Sequence, residues 1–155
     1  MTFQIVALPA APFAPLFALS DEALAARGGV RRVADRAPGF PCRVSLRDAR
    51  PGEDVLLVNY EHQPARSPFR STYAIYVRRD AVQARLEPGE VPEMFRSRLL
   101  SARAFDEAGM LLDADVVEGR EVEGVIGRLL GVATAAYLHV HFARPGCYAA
   151  RVDRR

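Results

Sequence analysis

Lysine is absent from this chain: all 21 basic residues are arginines, set against 19 acidic ones for a formal net charge of +2. The arginines are scattered among the Asp and Glu residues, with no contiguous basic stripe and no ladder of aromatic and basic side chains. This argues against nucleic acid as the main partner. Guanidinium forks suit anions, but arginine used throughout in place of lysine reads first as a coding bias. Cysteine is scarce, with Cys42 and Cys147 far apart, so a disulfide framework is excluded. No apolar run reaches the roughly 18–20 residues of a membrane-spanning helix. The stretch from Ile5 to Leu19 is apolar, but Pro9, Pro12 and Pro15 interrupt it and no positive charge precedes it, unlike a secretory signal. The expected location is cytoplasmic. Nucleotide binding through a Gly-rich phosphate loop or a Gly-x-Gly-x-x-Gly turn is excluded, since neither motif occurs. A Gly-x-Ser-x-Gly nucleophile elbow is also missing.

What remains is a chain of 155 residues, half of them hydrophobic, which suits a single domain over 1–155 with one sizeable core. Thr2–Leu8 reads as a strand followed by a Pro-rich connector. Ser20 is placed to cap a short helix over Asp21–Arg27 that Gly28 and Gly29 stop. Strands are expected over Val30–Asp35, Pro41–Leu46, Asp54–His62 and Thr72–Arg79. A loop of about nine residues, Gln63–Ser71, joins the last two. Met94–Phe105 fits helix or strand. Asp106–Gly109 is a turn before a strand over Met110–Val117. Glu118–Leu130 is the clearest helix, with Val122, Val125, Ile126, Leu129 and Leu130 in one stripe. The final hairpin joins strands 136–143 and 147–152. The expected fold class is α+β: a mostly antiparallel sheet with two or three helices packed on it.

The strand Ala136–Ala143 carries the most chemistry. Alternate side chains in a strand share a face, so Tyr137, His139 and His141 point one way and Leu138, Val140 and Phe142 the other. Two of the chain's three histidines therefore converge. His139 and His141 suit metal ligation, with His62 at the end of a strong strand as the third ligand of an open site and Asp113 and Asp115 as a same-face carboxylate pair. A divalent metal is the implied cofactor. If the site is catalytic, an imidazole serves as general acid or base, since its ordinary pKa lies near neutrality. The bland alternative is a pair of structural histidines on the wet face of a sheet. Cys42, flanked by Arg43, is a candidate nucleophile, or a redox partner of Cys147; two buried thiols are the plainer reading. Arg43, Arg70 and Arg144, with Tyr60 and Cys147, are the candidate ligand-binding side chains around an anionic small molecule. The glycines at 124, 127 and 131 line the polar side of the last helix; they would let a partner approach closely, but drift on a helix held by tertiary packing is the plainer reading.

Several segments together resemble a known family. They are Gly39-Phe40-Pro41-Cys42-Arg43-Val44-Ser45-Leu46, Asn59-Tyr60-Glu61-His62-Gln63-Pro64, Ser67-Pro68-Phe69-Arg70-Ser71, Arg103-Ala104-Phe105-Asp106, Asp113-Ala114-Asp115, His139-Val140-His141, and Ala143 through Arg151. The resemblance is to the bacterial family catalogued as domain of unknown function 1203, and it covers nearly the whole chain. It implies a stand-alone bacterial domain with no established activity. This chain has Tyr73 where the resemblance leads one to expect a histidine, and Phe142 where it leads one to expect an asparagine. Three functional readings follow: a polar His/Arg pocket binding a small molecule or a metal, a non-enzymatic interaction module with structural histidines, and a thiol redox protein using Cys42 and Cys147.

Overall fold

The computed structural model describes residues 2–155. It has eight strands and three α-helices: β1 (Phe3–Val6), α1 (Asp21–Ala26), β2 (Val30–Val33), β3 (Asp54–Gln63), β4 (Ser71–Arg78), α2 (Glu93–Arg96), β5 (Leu99–Phe105), β6 (Leu111–Glu118), α3 (Val122–Leu130), β7 (Tyr137–Phe142) and β8 (Tyr148–Arg154). The fold is α+β with mostly antiparallel sheet. No helix among the described residues is long and apolar enough to cross a membrane.

The chain's contacts gather into two compact units. One holds the residues up to Val6, Glu61–Tyr73 and Arg85–Arg155; the other holds Ala7–Tyr60 and Ala74–Ala84. The first is built on a five-stranded antiparallel sheet in the order β1-β8-β7-β5-β6. One face of that sheet is apolar, with Leu100, Ala102 and Ala104 of β5, Leu138 and Val140 of β7, and Ala150 and Val152 of β8 all buried. Helix α3 lies on this face. Its Val122, Ile126, Leu129 and Leu130 are buried, and Arg128 reaches Asp113 and Asp115 of β6 at 2.9 and 2.6 Å. Those two aspartates sit opposite Ala104 and Ala102, which fixes the side. The hydrophobic stripe of α3 therefore buries against alternate strand residues, as amphipathic helices do. The opposite face carries Ser101, Arg103 and Phe105 of β5 against His141, His139 and Tyr137 of β7.

The second unit packs Ala34, Phe40, Ala49 and Val55 together, with Tyr76 against them. The three-stranded sheet runs β2-β3-β4. Ser20 caps α1 through its hydroxyl, which accepts from Ala23 N at 3.1 Å. Glu53 accepts from Arg47 and Arg78. Those guanidiniums, Arg78 foremost, hold its carboxyl far below the ordinary carboxylate range.

Several expected elements change in form. Pro41–Leu46 is not a strand: only Pro41 and Cys42 make isolated bridges, to Asp48 and Tyr76, and Leu46 has a positive φ of 50°. The alternation there reflects a buried turn. Met94–Phe105 is both helix and strand, since α2 ends at Arg96 and β5 begins at Leu99. The helix expected over Glu118–Leu130 starts later, because a 3-10 turn occupies Gly119–Glu121. The Pro-rich connector contains a 3-10 turn over Ala14–Ala18.

Candidate metal centre

The three histidines lie in the first unit, and one ring nitrogen of each falls within 4.8 Å of the others. His139 and His141 alternate along β7, with ring centroids 6.4 Å apart. His62 comes from the end of β3, its ring 5.0 Å from that of His141 and 5.9 Å from that of His139. Gln63, the next residue, is buried and donates through Nε2 to Tyr137 Oη at 2.9 Å, which ties the end of β3 to β7. Ser67 Oγ, in the loop that follows, donates to Gly109 O, and Tyr73 Oη, near the start of β4, donates to Pro145 O at 2.7 Å.

The pair is not on a wet face. All six residues of β7 are buried, His139 and His141 at 3% and 2% exposure. The covering is aromatic. Tyr148 stacks on His62 at 5.3 Å and meets His139 and His141 edge-on. Phe105 and Tyr137 each lie 5.2 Å from His139. Tyr148 reaches this face through an irregularity in β8. The register steps from Val140 opposite Ala150 to His141 opposite Tyr148, so Ala149 is the extra residue of a bulge. Bulges commonly re-aim a side chain beside a site in this way.

The hydrogen bonding of the three rings is unequal. His141 Nδ1 contacts Gly146 O at 3.0 Å. A carbonyl only accepts, so Nδ1 carries the proton, which in the neutral ring leaves Nε2 as the acceptor. Nδ1 of His62 and Nδ1 of His139 are buried with no hydrogen-bond partner. Burial without a partner costs on the order of 1–3 kcal/mol per group. Burial also disfavours the charged ring. The His62 pKa falls to about 4, through desolvation and then the nearby charge of Arg103. The His139 pKa falls to about 3, through desolvation and then the neighbouring His141, His62, Arg151 and Arg103. Both rings are neutral at pH 7, the form in which imidazole ligates a metal.

The site's cations come from the flanking strands. Arg103 and Arg151 both stand opposite His139, one on each side. Arg151 is paired with Asp153 at 2.7 Å and lies over the Tyr137 ring at 4.0 Å. Arg103 is half-buried, and its Nε donates to Ser101 Oγ at 3.2 Å. Both arginines fall in segments that carry the family resemblance, but residue type and spacing alone do not single them out among 21 as neighbours of the histidines. The signal that finds them is cross-strand register, which needs the strand order.

Of the other expected site residues, Cys147, Arg70 and Arg144 share the histidines' unit. Cys147 is buried beside β8, Arg144 is exposed in the turn before it, and Arg70 is bound to Glu61 at 2.9 Å. Cys42, Arg43 and Tyr60 belong to the second unit. The Cys42 thiol is fully buried and accepts from Ser45 N and Arg78 N at 3.4 and 3.3 Å. Arg43 is 1% exposed and donates to Pro41 O. Tyr60 packs on Phe13, and burial raises its pKa. Asp113 and Asp115 are bound to Arg128 on the α3 side of the sheet, so they supply no carboxylate to the histidines, which lie on the other side.

No curated protein and no solved structure matches the chain. A family model described as Protein of unknown function (DUF1203) matches residues 39–154, which include all three histidines and both arginines of the site. The chain belongs to that family.

Proposed function

We propose that His62, His139 and His141 form a three-imidazole centre for a divalent transition metal, zinc foremost, with a coordination position left open to a water or a small molecule. The observation that carries this reading is the convergence of three ring nitrogens within 4.8 Å, two of the rings having a buried nitrogen without any partner. An equilateral triangle of that side has its centre about 2.8 Å from each corner, against roughly 2.0–2.1 Å for a zinc–imidazole bond. Small rotations of the rings close the difference. Three further features support it. The rings of His62 and His139 are held neutral by burial. The contact of His141 with Gly146 O is the outer hydrogen bond that usually fixes a ligating tautomer. The ligand set is all nitrogen, which suits zinc, copper, iron or nickel rather than magnesium or calcium. Three protein ligands and one open position are the arrangement of catalytic rather than structural zinc sites. Zinc in such a site brings the pKa of a bound water near 7 and polarises a bound oxygen. A cytoplasmic location is part of the reading, because both cysteines are buried free thiols.

The test uses protein purified without a polyhistidine tag. Elemental analysis and zinc titration by calorimetry at pH 7.5 should give one ion per chain. His62→Ala and His139→Gln should each weaken binding at least ~100-fold, the upper end of what loss of a mere outer-shell contact does, with circular dichroism unchanged. Zinc binding equal in the variants and the parent, or none in the parent, overturns the proposal.

A further inference from the structure

We infer that the ligand of this centre is a small oxyanion, such as a carboxylate, held jointly by the metal's open position and the guanidinium of Arg103. The inference rests on the metal reading and extends it to the class of molecule bound.

Charge accounting leads there. Three neutral imidazoles bring no negative charge to a divalent ion. Of the carboxylates on this face of the sheet, Asp153 of β8 is engaged by Arg151, and Glu118 stands at the other end, opposite Leu99, with no ion pair to Arg103. Arg103 differs from the ion-paired arginines of the chain. Arg47 and Arg78 face Glu53, Arg96 faces Glu123, and Arg128 faces Asp113 and Asp115. Arg103 makes no ion pair among the described residues, although burial strips water from it. Its hydrogen bond runs from Nε to Ser101 Oγ, which anchors the group and leaves both Nη atoms without a protein acceptor. It stands directly opposite His139 on the neighbouring strand, where paired Cβ atoms are about 4.5–5.5 Å apart. Its charge is felt at both His62 and His139.

A half-buried cation beside a divalent ion is unfavourable unless an anion sits between them. The two free Nη groups offer the planar fork that matches a carboxylate or another oxyanion. An anion with one oxygen on the metal and another on Arg103 satisfies both charges at once. Aromatic walls from Tyr148, Phe105 and Tyr137 around the imidazoles limit the ligand to a small one.

Cobalt(II) in place of zinc gives a visible spectrum that reports the open position. Acetate and methylphosphonate should each change that spectrum saturably, and neutral acetamide should not; the relative affinities of the two anions tell carboxylate from phosphoryl ligands. Arg103→Gln should retain cobalt and bind the anions at least about tenfold more weakly, as expected for loss of a charged hydrogen-bonding partner. Arg103→Lys keeps the charge, loses the fork, and should be weaker several-fold. Anion affinity in Arg103→Gln equal to the parent's, or a spectrum indifferent to anions, overturns the inference and leaves the metal site standing. Should Arg103→Gln not fold, parental affinity in Arg103→Lys overturns the role of the fork. Failure of the parent to bind cobalt overturns both readings.

Discussion

A ring nitrogen sealed from water with no hydrogen-bond partner is a cost that folding must offset, and this protein carries two within one cluster. The consequence is a pH dependence with a definite sign. For His62 and His139 the folded pKa, about 4 and about 3, lies below the ordinary 6.5. As pH falls, the unfolded chain takes up protons first, and stability falls with it. Nothing is lost above 6.5. Below it, metal-free protein should lose about 1.4 kcal/mol per pH unit for each of the two rings. That loss should continue to about pH 4 for His62 and about pH 3 for His139. Glu53, whose carboxyl is held low by Arg78 and Arg47, contributes losses only below its ordinary 4.5, so the interval from pH 6.5 to 5 isolates the histidines. Urea unfolding in the presence of a chelator measures this slope, and a flat profile across the interval contradicts the burial account. The histidines themselves were legible: a His-x-His on an alternating stretch shares a side wherever it forms a strand. Their burial was not, because the aromatic cover comes from β5, β7 itself and the bulge of β8.

At the scale of elements, two glycines near the clearest helix have opposite meanings. A Cβ at Gly119 would lie 1.7 Å from Phe95 O, and Gly119 N donates to Arg98 O. The turn before α3 thus touches backbone that only glycine permits. Gly119→Ala should destabilise the protein by about 2 kcal/mol or more, as a small-to-large change in a packed place does. Gly124, in α3 itself, has nothing within 4 Å of its would-be Cβ. Gly124→Ala should stabilise by up to about 1 kcal/mol through helix propensity. Thermal melts of the two variants read both effects, and equal shifts would show that close packing at Gly119 is not what selects glycine. Periodicity alone located α3 and most of its buried stripe, since Val122, Ile126, Leu129 and Leu130 all go inward, but it placed the start too early and counted Val125, which is only half-buried. It misjudged Pro41–Leu46, where apolar residues are buried by a turn rather than by a pleat. It also could not divide Met94–Phe105, where a four-residue helix and a strand share one apolar run.

For the whole molecule, strand order decides what the sequence conceals. Hairpins join β5 to β6 and β7 to β8, and both pairs are readable from turns such as Asp106–Gly109 with its positive φ at Gly109. The join of β5 to β7 is long-range, made by α3 returning the chain across the sheet. That join sets Arg103 opposite His139. The site is accordingly half readable: its ligands follow from local alternation, its cations from topology. Binding should also stabilise the fold, by about 4 kcal/mol with free zinc at 1,000 times its dissociation constant. Zinc at that excess should raise the melting temperature of the parent and raise that of His62→Ala by no more than about a third as much, since a hundredfold weaker site gains at most about 1.4 kcal/mol.

The most direct measurement of the central claim is a crystal structure of the zinc-loaded protein with anomalous scattering recorded at the zinc edge. One strong peak is expected, bonded at roughly 2.0–2.1 Å to a ring nitrogen of each of His62, His139 and His141. A peak elsewhere, or three rings unmoved and unliganded in saturating zinc, would contradict it.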